Sequence, residues 1–277
     1  MTSWSGGRFG ERATCLLAPN ANMMTLDGTN TWVLREPGAT HSVVVDPGPE
    51  IASHLDAVAD EAGPVAVVLL THGHADHSES ARTFAERMGC GVRALDRRHQ
   101  LGDEGLGDGD VVEVDGLEIR IVATPGHTAD SLSFVLPAER AVLTGDTVLG
   151  RGTSVVAHPD GQLGAYLDSL SRLHALASAR ELTTVWPGHG PVIDDALAVL
   201  DYYLAHRAER LDQVREALRD LTSSDPSTAT HDVARGDLAR GDLARAIVEQ
   251  VYVDVDPVLW GAAELSVRAQ LAYLLHR

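Results

Sequence analysis

Thr71-His72-Gly73-His74-Ala75-Asp76-His77 is the stretch on which the reading of this chain turns. His72, His74, Asp76 and His77 bring imidazole nitrogens and carboxylate oxygens close together, and His127, Asp146 and His189 add to the set further along. These donors at this spacing are what two borderline-soft divalent ions need, zinc first. The pattern points to a binuclear metal site and a metal-dependent hydrolase.

The residues around the ligands give them rigid supports. Val65 to Leu70 is a short apolar run between Gly63-Pro64 and the His/Asp loop, and reads as a buried strand. After the loop, Ser78 to Arg87 has helical spacing, with Ser78-Glu79 suiting a helix start. The later ligands repeat the plan. Leu117 to Ala123 runs as a strand into Thr124-Pro125-Gly126-His127, Arg140 to Leu143 into Thr144-Gly145-Asp146, and Thr184 to Trp186 into Pro187-Gly188-His189. Gly or Pro beside each ligand lets the backbone turn sharply and approach an ion. A lone histidine is more often a surface or satisfied core residue, and His41, His54, His99, His174, His206, His231 and His276 are read that way. Seven donors at strand-to-loop junctions are not a coincidence of that kind.

These same residues resemble the metallo-β-lactamase superfamily, whose motif is His-x-His-x-Asp-His followed by separated His, Asp and His positions. The resemblance implies an α/β (α+β) fold, an αββα sandwich with the site at the edge between two sheets. It also implies His72, His74 and His127 on one ion, Asp76, His77 and His189 on the other, and Asp146 bridging. Asp46, after Val43-Val44-Val45, matches a strand-end aspartate that supports the ligand loop from behind. Glu79-Ser80 stand where many relatives carry Gly-Gly, which alters helix-start packing and leaves the ligands intact.

Charge dictates the chemistry expected. Two divalent ions outweigh Asp76 and Asp146, so the site holds a bridging hydroxide, because metal binding lowers the pKa of water to roughly 7. Asp76 and Asp146 are the catalytic carboxylates of this reading. Two Zn2+ per chain are expected, with Mn2+ or Fe2+ able to occupy the same donors.

The chain has 277 residues, 44% of them hydrophobic, enough for one large core with a small appendage. Met1 to Asn20 lacks an apolar run long enough for a signal peptide, no stretch approaches membrane-spanning length, and a cytoplasmic enzyme is expected. Cys15 and Cys90 lie in different predicted elements without metal spacing. Net charge is −18, and all 22 basic residues are Arg. True β-lactamase activity is disfavoured, since neither an antibiotic-binding lysine nor an export signal is present.

Strands are expected at Ala13 to Leu17, Thr31 to Arg35 and Ser42 to Val45, a first helix at Ile51 to Ala62, and a hairpin joining Val111 to Val114 with Leu117 to Ala123 across Asp115-Gly116. The acidic stretch Gly102 to Asp110 reads as turn chemistry, without the spacing of a calcium loop. Leu163 to Ala177 reads as a helix. So does Asp195 to Leu221, with Leu197, Leu200, Leu204, Leu211, Val214 and Leu218 buried and Arg207, Arg210, Arg215 and Arg219 on a solvated face. Thr222 to Thr230 reads as a linker, and Val233 to Val251 and Pro257 to His276 as helices, the first carrying the pentad Ala-Arg-Gly-Asp-Leu twice, at Ala234 to Leu238 and Ala239 to Leu243. The expected division is a catalytic domain over 1–221 and a helical extension over 222–277, a truncated counterpart of a winged-helix-like domain, for which DNA binding is not expected.

Thr25 to Thr31, Gly152-Thr153-Ser154, Tyr166 to Leu170, Pro187 to Ile193 and His206-Arg207 with Arg210 resemble the beta-lactamase-like protein 2 subgroup, whose members include an endoribonuclease acting on single-stranded RNA. Single-stranded RNA is the first substrate this implies, against the acidity of the chain. A thioester or lactone, as for enzymes of the glyoxalase II kind, is the alternative small-molecule substrate, and a mono-iron persulfide dioxygenase the redox alternative; oligomeric state is left open. Met24, Thr25, Asn30, Ser154 and His158 are expected to frame the pocket.

Overall fold

A computed structural model of the chain describes residues 4–224 and 241–275. Two mixed sheets form the body. The first orders β1 (Gly7–Phe9), β2 (Ala13–Leu17), β3 (Asn30–Leu34), β4 (Ser42–Val45), β5 (Val65–Leu69) and β6 (Gly91–Arg93) in sequence order. The second orders β11 (Thr184–Pro187), β10 (Ala141–Gly145), β9 (Leu132–Leu136), β8 (Leu117–Ala123) and β7 (Val111–Val114). Pairs β4/β5, β5/β6 and β10/β11 are parallel and the rest antiparallel.

Period-two alternation explains why the sheets stack. On β3 and β4, Trp32, Leu34, Val43 and Val45 enter one core with Ile119, Ile121, Phe134, Leu143 and Trp186 of the second sheet. Val33 and Val44, between them in sequence, face the other way. That outer face is covered by α1 (Ala52–Ala62) through Leu55 and Val58 and by α3 (Ala81–Met88) through Phe84 and Ala85. The α/β class and the pair of mixed sheets agree with expectation. No helix among the described residues is long and apolar enough to cross a membrane.

The helix expected from Ser78 is broken in two. A single turn, α2 (Ala75–Ser78), carries Asp76 and His77, and α3 starts only at Ala81. The break is held by buried Ser80, whose hydroxyl donates to the Gly48 carbonyl at 2.8 Å. The acidic stretch is indeed turn chemistry: Asp110 accepts from the Gly107 N–H at 2.8 Å, and Asp108 from the Ala123 N–H at 2.8 Å.

By compaction the chain divides into two units, Met1–Thr124 with Asp130–Ser154 and Arg172–Val199, and Pro125–Ala129 with Val155–Ser171 and Leu200–Arg277. Both sheets lie in the first. The second contains the start of α4 (Leu163–Ser178), most of α5 (Ala196–Ser224), α6 (Gly241–Val251) and α7 (Trp260–Leu275). Val214, Ile247, Val248, Val267 and Leu271 form its core.

The buried stripe of α5 differs from the expected one. It runs Ala196, Leu200, Tyr203, Arg207, Leu211, Val214, a 3.6-residue period, and leaves Leu197 exposed. Arg207 is therefore buried, its guanidinium 4.9 Å over the Tyr166 ring. Arg210 also turns inward, donating to the Val251 carbonyl at 2.6 Å. The α5 helix continues to Ser224, through the start of the expected linker. The rest of that linker, the helical reading of 233–240, the pentad at Ala234 to Leu238 and the start of its copy at Ala239 lie outside the described residues.

Candidate metal centre

Parallel pairing brings the ligand loops to common sheet ends. Because β4 and β5 run the same way, Asp46 and Thr71-His72 leave one edge together; β10 and β11 do the same for Asp146 and His189. Asp46 sits in the left-handed region at φ 50° and is 2% exposed. Its carboxylate accepts from the Thr71 N–H at 2.8 Å, the Thr71 hydroxyl at 2.6 Å and His77 Nδ1 at 2.9 Å. Its carbonyl accepts from the Thr31 hydroxyl at 2.7 Å.

Two groups of candidate ligands follow. Asp76, His77 and His189 present donor atoms within 4.8 Å of one another, and so do His72, His74 and Asp146. Asp146 also reaches the other group, with Oδ1 3.4 Å from His77 Nε2 and 3.5 Å from His189 Nε2. Gly188 is what permits this approach: a β-carbon there would lie 2.7 Å from both Asp146 Oδ1 and His77 Cε1.

The hydrogen bonds behind the rings set their tautomers. Carboxylates and carbonyls only accept here, so His77 donates Nδ1–H to Asp46, and His189 donates Nδ1–H to the Gly28 carbonyl at 3.0 Å. In the neutral rings both Nε2 atoms then carry lone pairs, and they face each other at 3.2 Å. Acceptor against acceptor, beside two carboxylates, is repulsive unless positive charge lies between. This donor set fits a divalent cation.

The ionisation of the groups expresses the same demand. Burial disfavours the His189 cation, but Asp146 and Asp76 outweigh burial and hold the ring at about 9. Burial opposes charge on His77 too, and Asp146 and Asp46 raise its pKa well above the usual value. Conversely, Asp146 stays ionised far below the ordinary carboxylate range despite burial, because His189 and His77 face it. Asp76 is lowered likewise against its burial, by His189 and His77. Protons or a metal ion can supply the missing charge, and binding of one displaces the other.

His127 stands in the second unit, on Pro125–Ala129, and donates Nδ1–H to the Val155 carbonyl at 2.7 Å, which leaves Nε2 as the lone-pair atom of the neutral ring. Of the five residues expected to frame a pocket, Met24 is exposed, while Thr25 is buried, its hydroxyl donating to the Asn20 carbonyl at 2.6 Å. Asn30 is fully buried, donating to the Pro187 and Gly190 carbonyls at 2.9 and 2.8 Å and accepting from Trp4 Nε1 at 2.8 Å. It clamps the strand end before His189. Ser154 is buried, and His158 lies on the wall of a cavity in the second unit.

Sequence reading missed the groups that orient the rings. Thr71 links Asp46 to His72, its hydroxyl 3.1 Å from His72 Nδ1. The Gly28 and Val155 carbonyls are main-chain groups and leave no trace in residue type. Thr71 alone had a signal, as a hydroxyl residue directly before the first ligand.

Comparison with known proteins places the chain in a family. A family model described as the metallo-beta-lactamase superfamily matches residues 24–189. The chain is 31% identical over 239 residues to the beta-lactamase-like protein 2 homolog of Caenorhabditis elegans, covering 79% of this chain and 76% of that protein. It is 34% identical over 203 residues to an atrochrysone carboxyl ACP thioesterase of Aspergillus fumigatus, covering 71% of this chain but only 46% of the fungal one. Among solved structures, a beta-lactamase domain protein from Burkholderia ambifaria superposes with a TM-score of 0.72 at 20% identity, over 97% of this chain and 87% of that one, a likeness of fold. Since the family model covers more than half of the sequence, from the loop before β3 to His189 itself, this chain belongs to the metallo-beta-lactamase superfamily.

Proposed function

We propose that this hydrolase holds two divalent ions, zinc first, and cleaves an acyl thioester. His72, His74 and His127 take one ion, Asp76, His77 and His189 the other, and Asp146 lies between them. The facing lone pairs of His77 and His189, 3.2 Å apart, carry the reading, because a cation between them relieves their repulsion. When bound, such ions supply an activated water at neutral pH and polarise the scissile carbonyl. The protein's part is to fix donors and charge. Asp46 orders the His77 tautomer, Gly28 that of His189, and Asp76 with Asp146 keeps the centre from excess positive charge. In this reading residues 1–221 supply every ligand and 222–277 form a helical extension.

A thioester is preferred to RNA on two supports. One relative is named a thioesterase. The chain's net charge of −18 repels a polyanion. Single-stranded RNA is the second reading, favoured by the likeness to a beta-lactamase-like protein 2 homolog. Metal analysis of the purified protein, with parallel assays on an acyl thioester, S-lactoylglutathione, single-stranded RNA and a cephalosporin, separates the readings. Two zinc ions with thioester cleavage are expected; one iron with oxygen uptake refutes the reading. Asp76→Ala is expected to abolish metal-dependent turnover while the melting temperature changes little, and near-normal turnover would remove Asp76 from the ligand set.

A further inference from the structure

We infer that a cavity inside the second unit receives the acyl group of the substrate; this rests on the thioester reading and goes beyond it. The cavity has a volume of about 380 Å³, inside the size range of small-ligand pockets. One wall is α7, where Ala269, Ala272 and Tyr273 share a face at i, i+3 and i+4 spacing. The other lining comes from the turn into α4, with Gly161 and Gln162, and from Leu163 and Gly164 at the start of that helix. A β-carbon at Gly164 would sit 3.4 Å from the Tyr273 ring, in ordinary contact, so the ring lies directly over this glycine.

The turn is tied to the loop that carries His127. Gln162 N–H donates to the Gly126 carbonyl at 3.0 Å, and Ala129 N–H to Asp160 Oδ2 at 3.3 Å, on either side of that ligand. A group seated in the cavity is thereby held beside one proposed ligand. Lining chemistry selects the occupant. No Arg, Asp or Glu faces the space, and its walls are mostly small or apolar. A hydrocarbon chain gains from leaving water there, whereas a phosphate would find no guanidinium and a single imidazole, that of His158. The Tyr273 ring offers a flat face, which makes a stacked base the competing occupant.

Two variants that change the volume in opposite senses test the inference. Ala272→Phe narrows the cavity and Tyr273→Ala widens it. With straight-chain acyl thioesters of a single thiol, Ala272→Phe should lower the ratio of kcat/KM for medium over short chains by about tenfold or more. Tyr273→Ala should move the optimum to longer chains. Binding of octanoate to the purified protein, followed by calorimetry, should weaken about tenfold in Ala272→Phe. Thermal melting identifies a variant that fails to fold, and the other variant then decides. Thioester cleavage with an unshifted chain-length profile in the folded variants overturns the pocket and leaves the functional reading standing. Absence of thioester cleavage by the wild type overturns both. A short oligonucleotide that displaces octanoate assigns the cavity to a base instead.

Discussion

Asp46 gathers three donors on one buried carboxylate, and the placement of Thr71 and His77 depends on that oxygen pair. Asp46→Asn offers one acceptor and adds an N–H2 that must face a donor, so the Thr71 or His77 bond is lost and the His77 tautomer with it. Metal affinity and kcat are expected to fall about 10- to 100-fold, the range for loss of a group that orients a ligand. Equilibrium metal titration of the folded variant checks this; unchanged affinity would deny Asp46 its role. His54 gives a second test at this scale. It is 5% exposed, its Nε2 lies 2.9 Å from the Thr31 hydroxyl that buttresses Asp46, and burial lowers its pKa below the ordinary 6.5, against the raising effect of the Pro47 carbonyl. On acidification the unfolded chain takes this proton first, so folded stability from the neutral ring is full above pH 6.5 and falls as pH drops below it. Between neutral and mildly acidic pH, His54→Gln should show a shallower loss of unfolding free energy than wild type in urea titrations. Equal slopes would mean that His54 does not titrate with folding. Residue type singled out Asp46 and the candidate ligands in advance, because their donor chemistry is specific. It could not reveal His54 as a buried support, since a histidine far from the motif looks like any other.

At the scale of elements, the strand end is the unit that builds the site, and its packing is set by two indoles. Trp32 on β3 and Trp186 on β11 stack with centroids 5.1 Å apart and planes at 11°, joining the two sheets. Trp186 also lies three residues before His189 in the segment that Asn30 clamps. Trp186→Ala should cost about 3–5 kcal/mol of stability and loosen His189. A fall in the urea midpoint together with reduced metal occupancy is the expected result; a stability loss with full occupancy would separate the stack from the site. Long patterned strands such as β8, and the β7/β8 hairpin, were legible because alternation and an Asp-Gly turn coincide. Three strands were not. Gly7–Phe9 and Gly91–Arg93 are three-residue edge strands at the two borders of their sheet, too short for any periodicity. Leu132–Leu136 is wholly buried between β8 and β10, so alternation is erased. On α5 the period was recognised and its phase misjudged, because Arg207 takes a buried position by laying its guanidinium on Tyr166.

For the molecule as a whole, charge decides which substrates can approach. The sequence carries 40 acidic residues against 22 arginines, and prominent arginines are committed to internal partners. Arg12 bridges Glu36 and Glu139 at 2.7 and 3.0 Å, Arg210 holds Val251 and Asp254, and Arg245 holds Glu249 and Glu264 while covering Trp260. A cation engaged in this way contributes little to a stripe that tracks a phosphate backbone. Like charge between enzyme and substrate slows encounter, and salt relieves it, since the Debye length shortens from about 30 Å at about 0.01 M to about 8 Å at about 0.15 M. Over that range kcat/KM for an anionic substrate, such as a thioester on an acidic carrier or an oligonucleotide, should rise about threefold or more. An uncharged short-chain thioester should respond little, which isolates the encounter from the chemistry. A fall in kcat/KM with salt for an oligonucleotide would reveal a positive approach path and return RNA to first place.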